Sequence, residues 1–237
     1  MTKTVRWRNL DIPVPPLDMS NHDIADRNEF FRRASCVIKY NGIKGDYAEF
    51  GCASATTFRL AHSHIKMQQL NMKMWAFDSF EGLPKTDDVR DLHPQWYAGA
   101  YPTATDLFEL IVDDYGIKKD NYSMVPGFYN DTIGKKSIGS DKFAPEIAIA
   151  YVDCDLFSST RDVLFFLKSR LKTGIIIAFD DYFCYSSHGI SGERLAMLDF
   201  LKENDEWEFV PFYQFNWHGQ SFMVENKKTR NSQRSPE

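Results

Sequence analysis

The sequence predicts a single-domain α/β fold built on a mostly parallel sheet, and three observations carry that expectation. From Asp46 onward, short apolar runs alternate with helical segments, the pattern of β-α-β units. A length of 237 residues suits one sizeable core. Near the end, "WEFVPFYQF" and "WHGQSFMVE" read as a strand pair joined by a short turn, which is an antiparallel arrangement.

Taken in order, residues 1–19 are Pro-rich and expected to be extended. "SNHDIADRNEFFRRASCVIKYNG" opens on a Ser20 cap and closes on Asn41-Gly42, which predicts one helix. These two elements form an N-terminal region, residues 1–45. In the domain proper, residues 46–225, the expected strands are "DYAEFG", "KMWAFD", "YSMVPG", "IAIAYVD" and "GIIIAFDD". The expected helices are "SATTFRLAHSHIKMQQL", "ATDLFELIVDDYG", "STRDVLFFLKSRL" and "GERLAMLDFLKEN". The remainder, residues 226–237, "NKKTRNSQRSPE", is too polar to pack and reads as a disordered tail. One connection is anomalous. "SFEGLPKTDDVRDLHPQWYAGAYP" runs to roughly two dozen residues where about 2–6 would be usual. Trp96, Tyr97 and Tyr101 would be costly to leave in water, so this loop is expected to act as a lid.

A net charge of −5 removes the electrostatic footprint of a nucleic-acid binder. Cys36, Cys52, Cys154 and Cys184 are scattered and form no C-x-x-C pair, so neither a disulfide framework nor a zinc site is suggested. No apolar run approaches the roughly 20 residues of a membrane span, and the N-terminus lacks the apolar core of a secretory signal. A soluble, cytoplasmic protein with no membrane partner is the expectation.

Acidic residues gather at the carboxyl ends of the expected strands, where an open parallel sheet binds its ligands. Asp153 and Asp155 follow "IAIAYV", Asp180 and Asp181 follow "GIIIAF", Asp78 ends "KMWAFD", and Glu49 lies in "DYAEFG". If the two apolar runs are neighbouring strands, their tips lie about 5 Å apart. Asp153, Asp180 and Asp181 would then crowd together and raise one another's pKa values unless a cation neutralised them. Oxygen ligands favour Mg²⁺ or another hard divalent cation over zinc. The plainer alternative is that these aspartates cap the segments that follow them. Gly51 supplies a turn where backbone can approach a ligand, but the full G-x-G-x-x-G fingerprint is absent. Asp78, at the next strand end, can accept hydrogen bonds from a ribose diol. A nucleoside-containing cofactor without a pyrophosphate is the economical reading.

"YAEFGCASATTF", "WAFDSFEGLP", "VPGFYNDTI", "VDCDLFSSTRDVL" and "IIIAFDDYF" stand in the order of the macrocin O-methyltransferase (TylF/MycF/NovP-like) family, and the stretch from Tyr47 to Phe183 resembles it. That family is a metal-dependent branch of the class I S-adenosylmethionine (SAM) methyltransferases. The resemblance implies a Rossmann-like, seven-stranded sheet with the last strand antiparallel. It implies SAM held by Glu49, Gly51, Asp78 and Ser79, with Gly127 and Phe128 near the adenine. Asp153, Asp180 and Asp181 are implied as ligands of Mg²⁺, and Asp155 as general base. The implied acceptor is a hydroxyl of a sugar or glycoconjugate-like small molecule, and a homo-oligomer with the N-terminal helix at its interface is compatible with the family. The chain departs from the pattern in lacking a second glycine in "GCASATTF" and in carrying Phe157 and Ser158 after the D-x-D. Two rival readings are a nucleotide-sugar glycosyltransferase using the D-x-D on a metal-diphosphate, and a non-catalytic protein on the same fold. His93 and His188 fall in loops that would border an acceptor pocket.

Overall fold

A computed structural model describes residues 3–232. The N-terminal residues form an antiparallel ribbon, β1 (Thr4–Trp7) and β2 (Leu10–Pro13). Arg8 and Asn9 both take left-handed backbone (φ 45° and 66°), the geometry that closes a two-residue hairpin, so this segment pairs with itself where a merely extended chain was expected. Helix α1 (His22–Tyr40) follows. Its cap is Asn21, whose side chain accepts from the Asp23 N–H, whereas the expected cap Ser20 is tied to Asp18. Ile24, Phe30, Phe31, Ala34 and Ile38 bury one face of α1 on the sheet.

The sheet comprises β3 (Asp46–Phe50), β4 (Met74–Asp78), β5 (Tyr122–Pro126), β6 (Ile147–Val152), β7 (Ile176–Phe179), β8 (Trp207–Phe215) and β9 (Gly219–Asn226). Their order is β5-β4-β3-β6-β7-β9-β8, and all pairs are parallel except those made by β9, which runs antiparallel to both β7 and β8. Between the strands lie α2 (Thr56–Met67), α3 (Thr105–Asp114), the short α4 (Tyr129–Thr132), α5 (Phe157–Lys168) and α6 (Gly192–Glu203). Alternation along the strands splits the core in two. Tyr47, Tyr151 and Ile176 face α1 and α2, while Phe50, Val152, Ile177 and Phe179 face α5 and α6.

Strand β9 ends at Asn226, and the chain continues as α7 (Lys227–Ser232). The polar tail expected to be disordered is therefore helical as far as Ser232, because Arg230 reaches back to Glu208 (2.5 Å) and Glu225 (3.1 Å) on the last two strands. Residues 233–237 of that expected tail lie outside the described residues. Among the described residues no helix is long and apolar enough to cross a membrane.

Candidate active site

The ladder of the parallel strands carries on past their formal ends, and this fixes the site. Gly51 N–H donates to the Phe77 carbonyl, Asp153 N–H to Phe50, Asp180 N–H to Val152 and Gly127 N–H to Asp78. Five strand exits, those of β5, β4, β3, β6 and β7, are thereby held side by side. At the centre, Gly51 has φ 91°, and a Cβ there would come within 1.7 Å of the Asp153 carbonyl oxygen, so only glycine lets the two exits pass this closely. Above them opens a cavity of about 650 Å³, with Asp78, Asp153, Asp155, Asp180 and Asp181 on its wall.

On the β3–β4 side, Asp78 organises the turn after β3. Its Oδ2 accepts from the N–H groups of Cys52 (2.7 Å) and Ala53 (3.1 Å), and its Oδ1 from Phe80 N–H (2.7 Å). Oδ2 is thereby fully used, and Oδ1 retains a lone pair for a ligand. Ser79 shapes the next turn by donating to the Gly82 carbonyl (2.8 Å). Gly51, Asp78, Ser79 and Phe128 line the cavity. Glu49 and Gly127, expected beside them, are not on that wall. Gly127 (φ 125°) supports it from behind, with a Cβ excluded by Thr132 at 2.9 Å. Glu49 is fully buried on the α1–α2 face, where it accepts from Thr57 Oγ1 (2.6 Å) and the Tyr47 hydroxyl. Burial pushes its carboxyl up to about 8.

On the β6–β7 side, the acids meet groups that the motifs did not announce. Arg27 of α1 donates through Nε (2.9 Å) and Nη2 (2.7 Å) to the two oxygens of Asp180, which also accepts from the Tyr151 hydroxyl. His218, in the turn between β8 and β9, donates through Nδ1 to the Asp180 carbonyl (2.6 Å). Burial works against protonation of this imidazole, but Asp23 and Asp180 outweigh it and raise its pKa. Asp180, Asp181 and His218 each offer one donor atom within 4.8 Å of the others. Asp153, expected as the third ligand, is not part of that group, although it lines the same cavity.

Burial, followed by the charges of Asp180 and Asp181, pushes the Asp153 carboxyl well above the usual carboxylate range. Burial and then Asp181 do the same to Asp155. Asp155 also stands on unusual backbone: φ is 62°, and Leu156 N–H donates to the Cys154 carbonyl at 2.6 Å. A left-handed non-glycine at the centre of a three-residue turn is costly and is characteristic of functional positions. Including the buried Glu193, five carboxylates face one arginine and one histidine here. Such an excess suits a hard divalent cation with oxygen ligands.

The long connection after β4 forms the opposite wall through Leu83, Lys85, His93, Trp96 and Tyr101. It is pinned at its middle. Asp91, buried, accepts from Ser158 N–H (2.8 Å) and Ser158 Oγ (2.8 Å) in the first turn of α5, a helix whose own cap residue, Leu156, has no polar side chain. His93 borders the cavity as expected, whereas His188 is not among its lining residues. Arg27 did leave a trace in the sequence. It lies at the spacing of Ile24, Phe31 and Ala34 on the apolar side of α1, where a charge needs a buried partner.

Two comparisons of fold agree with this arrangement. The O-methyltransferase NovP superposes with a TM-score of 0.68 at 19% identity, covering 90% of this chain and 84% of that one. A calicheamicin methyltransferase gives 0.70 at 20% identity, covering 86% and 80%. Strand order and neighbours thus define a class I methyltransferase fold. Residues 1–205 match the macrocin-O-methyltransferase (TylF) family, and the chain belongs to it. Mycinamicin III 3''-O-methyltransferase of Micromonospora griseorubida is 27% identical over 150 residues, 60% of this chain and 57% of its own length. A Streptomyces olivaceus relative, 8-demethyl-8-(2,3-dimethoxy-alpha-L-rhamnosyl)-tetracenomycin-C 4'-O-methyltransferase, is 25% identical over 155 residues, 62% and 57%. The chain thus spans less than two thirds of the length of these curated relatives.

Proposed function

We propose that this chain is a SAM-dependent O-methyltransferase that methylates a hydroxyl of a sugar or glycoconjugate-like small molecule, assisted by Mg²⁺ or a similar divalent cation. The observation that carries the reading is the convergence of Asp78 with the two acidic strand exits, Asp153-Cys154-Asp155 and Asp180-Asp181, on one cavity. Family membership supports the reaction class, and the sugar-directed names of the two relatives support the acceptor class.

In this reading Asp78 takes the ribose hydroxyls of SAM, Gly51 and Ser79 line its path, and Phe128 lies against the adenine. Glu49 and Gly127 act from behind the wall, Glu49 by tying β3 to the start of α2. Asp180 and Asp181 would hold the cation, with Asp153 as the third carboxylate beside it. Bound there, a divalent cation acidifies a coordinated hydroxyl. Asp155 accepts the proton of the acceptor hydroxyl while that oxygen takes the methyl carbon, the sulfur–carbon bond breaks and the sulfonium leaves as a neutral thioether. The aromatic wall of Trp96, Tyr101 and Trp217 offers apolar faces to the acceptor and narrows the route for water.

The test is a mass-spectrometric screen of the purified protein with SAM, MgCl₂ and a panel of free, nucleotide-linked and aglycone-linked sugars. A product heavier by one CH₂, the exchange of a hydroxyl hydrogen for methyl, and lost on adding a chelator, is the expected result. Absence of SAM binding by calorimetry would end the reading, and methylation of a non-sugar phenol alone would move the acceptor class.

A further inference from the structure

We infer that Glu193, in the first turn of α6, is a positioning residue that sets the spacing of the two acidic strand exits. Its side chain is fully buried. Oε1 accepts from Cys154 N–H at 3.1 Å, and Oε2 from Asp181 N–H at 2.9 Å. Cys154 lies between Asp153 and Asp155 on the chain leaving β6, and Asp181 is on the chain leaving β7. Up to Asp180 the two exits are joined directly, since Asp180 N–H donates to the Val152 carbonyl at 2.8 Å. Beyond it they diverge, and the next free N–H on each side goes to one carboxylate oxygen of Glu193. One side chain thus bridges the two exits after their own ladder has stopped.

The residue before it has a matching constraint. Gly192 has φ 57°, and a Cβ there would lie 3.0 Å from the Asp155 carbonyl oxygen and 3.3 Å from that of Cys184. Absence of a side chain lets the start of α6 seat against the left-handed turn at Asp155, so Gly192 and Glu193 together wedge that turn against Asp181. A further negative charge among four aspartates is unfavourable electrostatically. Its two hydrogen bonds to backbone, both to segments that carry site carboxylates, are what it offers in return. Glutamine has the same shape but only one acceptor oxygen, so Glu193→Gln must release one of the two N–H groups.

The inference rests on the proposed methyl transfer only for its kinetic arm; its structural arm does not. In the unmodified protein, native-state hydrogen exchange should show the amides of Cys154 and Asp181 protected nearly as well as those within β6 and β7. Exchange at the rate of an open loop would overturn the bridge, whether or not any variant folds. In Glu193→Gln at least one of the two amides should exchange tenfold or more faster, with β3–β5 unchanged and SAM affinity by calorimetry within twofold. Turnover should fall at least tenfold, with the KM for SAM little changed, and Glu193→Asp should recover less than half of it. Unchanged exchange at both amides would overturn the inference. So would turnover and SAM affinity falling together, which marks general loss of structure. If no acceptor is turned over by the unmodified protein, the exchange arms alone decide.

Discussion

Arg27 meets Asp180 edge-on, with Nε 2.9 Å from one carboxylate oxygen and Nη2 2.7 Å from the other. The side chains are 13% and 5% exposed. Helix α1, which precedes the parallel sheet in the chain, therefore contributes a charge to the strand exits it covers. Arg27→Met keeps the apolar stem and removes the charge, leaving buried Asp180 with only the His218 imidazole, 3.7 Å away, as a cationic partner. The expected cost is about 3–5 kcal/mol, or roughly 10 °C in Tm for a chain of this size. Thermal unfolding checks this, and adding MgCl₂ should recover more stability in the variant than in the parent. A Tm unchanged within 2 °C would mean that the pair holds nothing in place.

Asp78 ties down the turns after β3 and β4, and in the proposed reading it also takes the ribose of SAM. Asp78→Asn keeps the shape, gives up the charge and leaves one oxygen to serve three N–H groups. Losing a charged acceptor for the ribose should cost about 1.5–3 kcal/mol, at least tenfold in SAM affinity. Calorimetry reads this directly, and equal affinities would remove Asp78 from the cofactor.

Asp91 caps α5 from outside the helix. Asp91→Ala should remove about 1–2 kcal/mol of stability and free the loop from its anchor. Hydrogen exchange across residues 84–101 should then accelerate while β6 and β7 stay protected. If the loop exchanges as slowly as before, the segments around Leu83 and Ala100, which pair through backbone bonds, hold it without help.

Much of this was legible in the chain because it depends on local pattern. The alternation of apolar runs with helical segments specifies a parallel sheet, and acids at strand ends become neighbours once β6 lies beside β7. Asp91, Glu193 and His218 were not legible, and Arg27 showed only as a charge on an apolar face without its partner, because each acts across the sequence: 153 residues separate Arg27 from Asp180, and 67 separate Asp91 from Ser158. Their partners are set by packing, and no spacing rule reports packing. Glu49 lies off the cavity wall for a related reason. Its place in the motif is at a strand end, but the two-residue period of β3 turns it to the α1–α2 face, toward Tyr47 and Thr57.

That burial gives Glu49 a pH signature. With its carboxyl pushed up to about 8 from an ordinary 4.5, the folded chain keeps this proton across an interval in which the unfolded chain has released it. Stability from this group is complete below the unfolded pKa and is lost as pH rises through the folded one, so unfolding free energy should decline from about pH 4.5 to pH 8, at up to 1.4 kcal/mol per pH unit. Glu49→Gln, neutral at every pH, should flatten that slope in denaturant titrations of the ligand-free protein. An identical pH profile in the variant would mean that Glu49 is ionised in its pocket.

The two acids of "VDCDL" should separate when each is neutralised. Asp153 follows β6 directly, its N–H still in the ladder with Phe50, whereas Asp155 stands two residues on in the left-handed turn. One is held close to the sheet, and the other is raised toward the cavity. Asp153→Asn should lower activity and raise the Mg²⁺ concentration needed for half-maximal rate, because it removes charge from the cation's surroundings. Asp155→Asn should leave Mg²⁺ and SAM binding within about twofold and reduce kcat by roughly 10²–10⁴-fold, the range for loss of a general base. Its residual rate should also lose the acid limb of the parent's pH profile, since the group whose protonation shuts off the parent is gone. Equal loss of Mg²⁺ affinity in both variants would make Asp155 a ligand. The base would then have to be another group lining the same cavity, such as His93, whose ring lies tilted against Trp96 at a centroid separation of 4.1 Å.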